Sequence, residues 1–263
     1  MMNYQELCQQ VCDIARQTGH YIKAQRKEAW INIEVKGSND FVTQVDKASE
    51  QRIVSALQGL LPESGFIAEE GTSDARGDVY NWIIDPIDGT TNFIHGLSPY
   101  AISIALMERN ELVLGVIYEI GLDECFYSYC GAPVYLNGKE VRVSATSMVK
   151  DSLIATGFPY SNYSRLDGFM DSVRYFMEHS RGLRRLGSAA TDLAYVACGR
   201  FDSFYEYNLK PWDVAAGAFL VQQAGGKVCD FNGGDDYIFG EEIIATNAES
   251  FNEFKEVINR IVR

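Results

Sequence analysis

Asp85-Pro86-Ile87-Asp88-Gly89-Thr90-Thr91-Asn92-Phe93 is the stretch on which the reading of this chain turns. The apolar run Tyr80-Asn81-Trp82-Ile83-Ile84 leads into it and has the length and composition of a buried strand. Pro86 disfavours a helical conformation at Asp85, so the strand is expected to end there with its carboxylate at the sheet edge. Asp88 follows in the expected turn, near enough to share a cation with Asp85. Gly89 permits close backbone approach, and Thr90, Thr91 and Asn92 suit the first turn of a helix whose free N–H groups can bind phosphate. Carboxylates beside an anion site repel the anion unless cations lie between them. Alone, the segment reads equally well as an Asp-Pro turn with an Asx cap.

Two more acidic points bear on that choice. Gly65-Phe66-Ile67-Ala68 reads as another buried strand and ends in Glu69-Glu70; if it runs parallel to its successor, a third carboxylate stands beside Asp85. Taken singly, that pair is also what a solvated acidic turn looks like. Downstream stands Lys210-Pro211-Trp212-Asp213-Val214-Ala215-Ala216-Gly217, where Pro211 suits the first turn of a helix and Asp213 can reach back past its N-terminus. Complementing the helix dipole would account for Asp213 equally well. Ala215 to Val221 are apolar or small on every side, which marks a buried helix.

Apolar spacing predicts helices over about 4–27 and 43–60, the second closed by Pro62. Residues 100–143 alternate as a β-meander, with Asn137-Gly138 as a type I′ hairpin signal. Strands near 153–155, 204–205 and 243–245 then alternate with helices over about 166–178, 189–198, 211–224 and 250–262. The expectation is a mixed α/β architecture in layers, with an N-terminal α+β lobe (1–150) carrying most metal ligands. A C-terminal α/β lobe (151–263) would carry Asp213 and the sugar-facing residues.

The chain has 263 residues, with 23 Lys+Arg against 36 Asp+Glu, a net charge of −13 that argues against general nucleic-acid or anionic-membrane binding. No stretch approaches the roughly 18 consecutive apolar residues of a membrane span, and the opening Met1-Met2-Asn3-Tyr4-Gln5-Glu6 lacks a signal-peptide pattern. A cytoplasmic location is therefore expected. Cys8, Cys12, Cys125, Cys130, Cys198 and Cys229 form no C-x-x-C pair and read as reduced, mostly buried residues, not as a zinc site. No G-x-S-x-G elbow or P-loop occurs, which leaves serine-hydrolase and P-loop chemistry without support.

Glu69-Glu70, the Asp85–Phe93 segment and Trp212–Gly217 resemble, in order and approximate spacing, the signatures of the inositol monophosphatase family. These are lithium-sensitive, magnesium-dependent phosphomonoesterases. Further stretches match at Lys36 to Asp46, Gly187-Ser188-Ala189 and Glu206, and Thr156-Gly157-Phe158-Pro159-Tyr160 resembles bacterial members. The resemblance implies a layered α-β-α-β-α sandwich of the inositol monophosphatase and fructose-1,6-bisphosphatase type. It implies hydrolysis of a small phosphate ester, myo-inositol 1-phosphate first, in a two- or three-metal site. Carried over by residue, it puts one metal on Glu69, Asp85 and the Ile87 carbonyl, and a second on Asp85, Asp88 and Asp213, with Glu69 also reaching a third, weaker ion. Mg²⁺ or Mn²⁺ suits that all-oxygen set, and Li⁺ would inhibit. Thr90, supported by Asp46, would polarise the attacking water, and the Gly89 and Thr90 amides would hold the phosphate. Asp88, Gly187, Ala189, Glu206 and Asp213 would face the sugar hydroxyls, and Glu70 would support the site.

A homodimer is also implied. The alternatives are the same chemistry on fructose 1,6-bisphosphate, 3′-phosphoadenosine 5′-phosphate or histidinol phosphate, or a regulatory or scaffold protein on this fold. Lys36 lies near the phosphate or is a surface residue, and Arg181, Arg184 and Arg185 form a basic patch that meets a second phosphate or lies at a rim or subunit interface. Phe204, Tyr205 and Tyr207 are expected in the core.

Overall fold

Period-two alternation along two sheets sorts the apolar residues into three cores, and those cores define the layers. The computed structural model describes residues 2–26, 33–37, 40–73 and 75–262, with the side chains of 33–37 and 40–43 outside the description. Helix α1 (Tyr4–Gln25) begins at Asn3, whose side chain accepts a hydrogen bond from the Glu6 amide at 3.3 Å. It buries Leu7, Val11, Cys12, Ala15 and Ile22, as their helical spacing requires. A hairpin of β1 (Ile33–Gly37) and β2 (Asp40–Thr43), unmarked by any periodicity above, leads into α2 (Gln44–Leu60).

The larger sheet has seven strands in chain order: β3 (Gly65–Ala68), β4 (Tyr80–Asp88), β5 (Ala101–Glu108), β6 (Glu111–Glu119), β7 (Glu124–Tyr129), β8 (Val134–Leu136) and β9 (Lys139–Val141). Only the β3–β4 pair is parallel. Asn137 and Gly138, with φ of 47° and 81°, turn β8 into β9 as the Asn-Gly signal predicts. Short helix α3 (Thr90–His95) interrupts the sheet between β4 and β5.

The smaller sheet runs β11 (Gly182–Arg184), β10 (Leu153–Thr156), β12 (Ser203–Tyr207), β14 (Glu242–Thr246), β13 (Lys227–Cys229). Its edge strands β11 and β13 are three residues long, too short to show a period. Four helices accompany it: α4 (Leu166–His179), α5 (Ala189–Ala197), α6 (Pro211–Gln223) and α7 (Phe251–Ile261).

Phe66, Trp82, Ile84, Ile102, Ile104 and Tyr118 pack against α1 and α2. Alternate residues of the same strands, Ile67, Ile83, Ala101, Ala105 and Ile117, join α5, α6 and Ala155, Phe204 and Ala245 of the smaller sheet. Ile154, Tyr205 and Ile244 turn the other way, toward α4 and α7. The order is therefore helices, seven-stranded sheet, α5 and α6, five-stranded sheet, helices: the expected layered α-β-α-β-α sandwich. Cys8, Cys12, Cys125 and Cys229 are buried within it. Among the described residues no helix is long and apolar enough to cross a membrane.

The middle layer is tight where α5 crosses α6. A Cβ placed on Gly217 of α6 would stand 2.4 Å from Cβ of Leu193 on α5. Gly217→Ala is expected to destabilise the protein by about 1–3 kcal/mol in urea unfolding. Gly59→Ala, on an exposed part of α2 with nothing within 4 Å, should be neutral or stabilising by up to about 1 kcal/mol. Equal effects at the two positions would contradict the packing account.

Candidate active site

Strand β4 does not end at Asp85, as Pro86 suggested, but continues to Asp88 through a bulge. Asp85 pairs with Ser103 on β5, and the next pairing is Asp88 with Ala101, so three steps on β4 oppose two on β5. Pro86 has no N–H to place in the ladder, and the extra residue absorbs the gap. In an unbroken strand residues 85 and 88 would point to opposite faces. The bulge brings both carboxylates to the face of Ile83 and Ala105, which meets α5 and α6. Asp85 is 2% exposed, and its Oδ1 accepts the Ile87 amide at 2.9 Å.

The other acidic groups arrive by separate routes. Asp213, at the third position of α6, accepts the Lys210 amide at 2.7 Å. Ser103 donates to the Trp212 carbonyl at 3.0 Å and ties that turn to β5. Carboxylate oxygens of Asp85, Asp88 and Asp213 all lie within 4.8 Å of one another. The parallel pairing of Ala68 with Ile84 delivers Glu69 beside Asp85, and the Glu69 amide donates to the Ile84 carbonyl at 3.2 Å. Glu50 of α2, fully buried, accepts the amides of Glu70 (2.7 Å) and Thr72 (2.8 Å) and so holds that turn. No sequence signal identified Glu50, because its partners are about twenty residues away along the chain.

After the bulge, Gly89 takes φ +93°, and a Cβ there would stand 3.0 Å from the Gly187 carbonyl and 3.1 Å from that of Pro99. Helix α3 starts at Thr90, whose Oγ1 lies 3.1 Å from Asp46 Oδ1 and 2.9 Å from the Ile87 carbonyl, donating to one of them. Across the cavity, Ser188 Oγ (2.6 Å) and the Ala190 amide (2.7 Å) donate to Asp88 Oδ2, so the start of α5 grips that carboxylate.

These residues share one cavity of about 430 Å³, lined also by Gly187, Ala189, Glu206, Arg185 and Asp192. Every acidic or backbone position expected from the sequence lines it except Asp46, which acts from behind Thr90, and Glu70. Arg185 lines it and donates to the Tyr160 hydroxyl at 2.6 Å; Arg181 and Arg184 do not line it. Of the stretch 36–46, the side chains up to residue 43, Lys36 among them, lie outside the described residues. Phe204, Tyr205 and Tyr207 are in the core. Asp192 was not anticipated, although a lone acid on the apolar helix Ala189–Ala197 is the same kind of signal that marks Asp213.

Burial, then the charges of Glu69, Asp88 and Asp213, pushes the Asp85 carboxyl well above the usual carboxylate range. Burial, then Asp88, does the same to Asp213. Asp88 is pushed up to about 6 by burial, with the Ser188 and Ala190 hydrogen bonds opposing. Burial raises Glu206 to about 8, against Arg185. Among the described residues no Lys or Arg side-chain nitrogen forms an ion pair with Asp85, Asp88 or Asp213. Converging oxygens without an ion-paired Lys or Arg suit a hard divalent cation.

Folded Glu206 holds its proton to about pH 8, whereas the unfolded chain releases it near 4.5. Its effect is therefore a destabilisation that grows as pH rises from about 4.5 and is complete above about 8. Glu206→Gln should leave the Tm of metal-free protein unchanged at pH 4 and raise it increasingly up to pH 8.5. A pH-independent gain would contradict burial as the cause.

The model of the inositol monophosphatase family matches residues 3–263. A Pseudomonas aeruginosa relative named Nus factor SuhB is 41% identical over 84% of this chain and 83% of its own. An inositol-1-monophosphatase of Mesorhizobium japonicum is 39% identical over 82% of each chain. Among solved structures, a Thermotoga maritima IMPase superposes with a TM-score of 0.87 at 36% identity, covering 95% of this chain and 96% of that one. The family model spans the fold and the acidic cavity alike, and this chain belongs to the inositol monophosphatase family.

Proposed function

We propose that this chain is a Mg²⁺-dependent phosphomonoesterase whose preferred substrate is inositol 1-phosphate. Family membership supports phosphatase chemistry. The observation that carries the reading is the convergence of Asp85, Asp88 and Asp213, from two elements, beside the Gly89–Thr90 turn. Glu69, Asp85, the Ile87 carbonyl, Asp88 and Asp213 would hold the ions, with Mn²⁺ able to replace Mg²⁺ and Li⁺ inhibiting. Divalent cations held there supply positive charge at the phosphoryl oxygens and acidify the attacking water.

The chain's own groups do the rest. The Gly89 and Thr90 amides bind the phosphate at the start of α3. Asp46 or the Ile87 carbonyl accepts the Thr90 hydroxyl proton, which leaves the hydroxyl's lone pairs to orient the attacking water. Water adds to phosphorus as the ester P–O bond breaks, and the departing alkoxide takes a proton to leave as the alcohol. Ala189, Gly187 and Glu206, with Asp88 and Asp213, face its hydroxyls. We assign the same reading a cytoplasmic homodimer, and a division near residue 150 into a lobe with most ligands and a lobe with Asp213.

The relatives named Nus factor favour a second reading, a partner-binding role on the same fold. An intact acidic cavity supports catalysis beside any such role.

Phosphate release from inositol 1-phosphate, fructose 1,6-bisphosphate and 3′-phosphoadenosine 5′-phosphate, with and without Mg²⁺, tests the proposal. Mg²⁺-dependent turnover favouring the inositol ester is expected; absence of turnover by folded, Mg²⁺-saturated protein overturns the enzyme reading. Asp85→Asn should lower kcat by on the order of a thousandfold while the protein stays folded. Asp213→Asn should raise the Mg²⁺ concentration for half-maximal activity at least about tenfold; an unchanged Mg²⁺ dependence contradicts its role as ligand.

A further inference from the structure

Most carboxyl groups around the cavity are held by the chain. Asp85 accepts the Ile87 amide, Asp88 accepts Ser188 and Ala190, and Asp213 accepts Lys210. Asp192 differs. It is 1% exposed, it lines the cavity, and among the described residues its Oδ1 has no hydrogen-bond partner. A buried polar atom left unpaired is unfavourable, and of the six such side-chain atoms among the described residues only this one belongs to a residue that lines the cavity.

Its placement follows from α5. Ala189 and Asp192 are three residues apart on that helix and therefore share a face. The turn that grips Asp88 thus presents Asp192 one turn further along the same wall. Glu206, Asp88 and Arg185 are the charged groups that act on it. Arg185 does not neutralise it by contact: that guanidinium donates to Tyr160 and lies 5.6 Å from the centre of the Phe158 ring, with no ion pair to Asp192. Nor does Asp192 belong to the set of converging carboxylates. A cation is thus not what the Asp192 carboxyl is arranged to receive, and with Oδ1 enclosed by the protein it is the other oxygen that meets the cavity. A hydroxyl is suitable, since it is neutral and bonds a carboxyl in either protonation state, as donor or acceptor.

We propose that Asp192, beside Glu206, bonds a hydroxyl of the alcohol half of the ester, away from the reacting phosphorus, and makes this enzyme select polyhydroxylated alcohols. The inference rests on the phosphatase reading. Asp192 is a specificity residue: it has no part in holding cations or in activating water. Selection of this kind is strong because an alcohol lacking the hydroxyl leaves the carboxyl unpaired in the complex.

The test compares kcat/KM for inositol 1-phosphate and for cyclohexyl phosphate, which keeps the ring and lacks the hydroxyls. Wild type, Asp192→Asn and Asp192→Ala are assayed at saturating Mg²⁺, with Tm measured in parallel. Asp192→Ala should lose about 10- to 100-fold on inositol 1-phosphate and less than about threefold on cyclohexyl phosphate. Asp192→Asn, which keeps shape and an acceptor oxygen, should fall between Ala and wild type on the inositol ester alone. The Mg²⁺ concentration for half-maximal activity should not move. Equal losses on both esters, no loss on either, or failure of even the isosteric Asn variant to fold overturns the proposal. Wild-type protein that hydrolyses neither these two esters nor fructose 1,6-bisphosphate nor 3′-phosphoadenosine 5′-phosphate overturns the phosphatase reading itself, and the inference with it; turnover of the last two alone, or ester-independent losses, overturns the inference alone.

Discussion

Pro86 cannot donate a backbone hydrogen bond, and it sits in the second strand of a seven-stranded sheet. A ladder position without a donor is tolerated when the strand inserts a residue, and β4 does so between Asp85 and Asp88. That single extra residue reverses the parity of everything after it. Asp88 faces α5 and α6 instead of α1 and α2, and the chain leaves the sheet at Gly89 in a left-handed turn that only glycine enters without strain. Helix α3 begins at the next residue, Thr90, so its first turn lies at the same place. Carboxylates and amides meet because one imino acid lacks a hydrogen.

Electrostatics sets the second condition. Asp85, Asp88 and Asp213 come together with the Glu69 carboxyl in a buried cavity of a protein already carrying thirteen excess negative charges. Desolvation and mutual repulsion both favour the protonated forms, so protons and cations compete for the same oxygens. A cluster of this kind would be costly as mere architecture. The nearest groups that oppose repulsion are hydrogen bonds to single carboxylates, such as those of Ser188 and Ala190 on Asp88, with Arg185 and Lys210 acting from further off. They fix direction without cancelling charge, which is what a cation site requires.

Helices α5 and α6 carry that geometry between the two sheets. Both are built from small and apolar residues, pack closely at Leu193 and Gly217, and each sends one end into the cavity. The start of α5 grips Asp88, and the first turn of α6 offers Asp213 while Ser103 anchors it to β5. The middle layer is thus both core and frame of the site. On the far side Glu50 holds the Glu69 turn from α2, so every layer around the larger sheet contributes.

Much of this is legible without coordinates. The spacing of Leu7, Val11, Ala15 and Ile22 marks α1, and the alternation over 100–143 marks the meander, because each has a period set by its own backbone. Glu69, Asp85, Asp88 and Asp213 stand out by residue type beside proline and glycine. Strands β11 and β13 are too short to carry a period, and Glu50 and Asp192 have no local signature beyond an acid among apolar neighbours. The sequence by itself determined which acidic groups are available, all of them oxygen donors, and the proline that breaks the ladder. Only the tertiary structure decided that Asp85 and Asp88 share a face, since side-chain direction on a strand follows from its pairing with β5, a partner the local sequence does not contain.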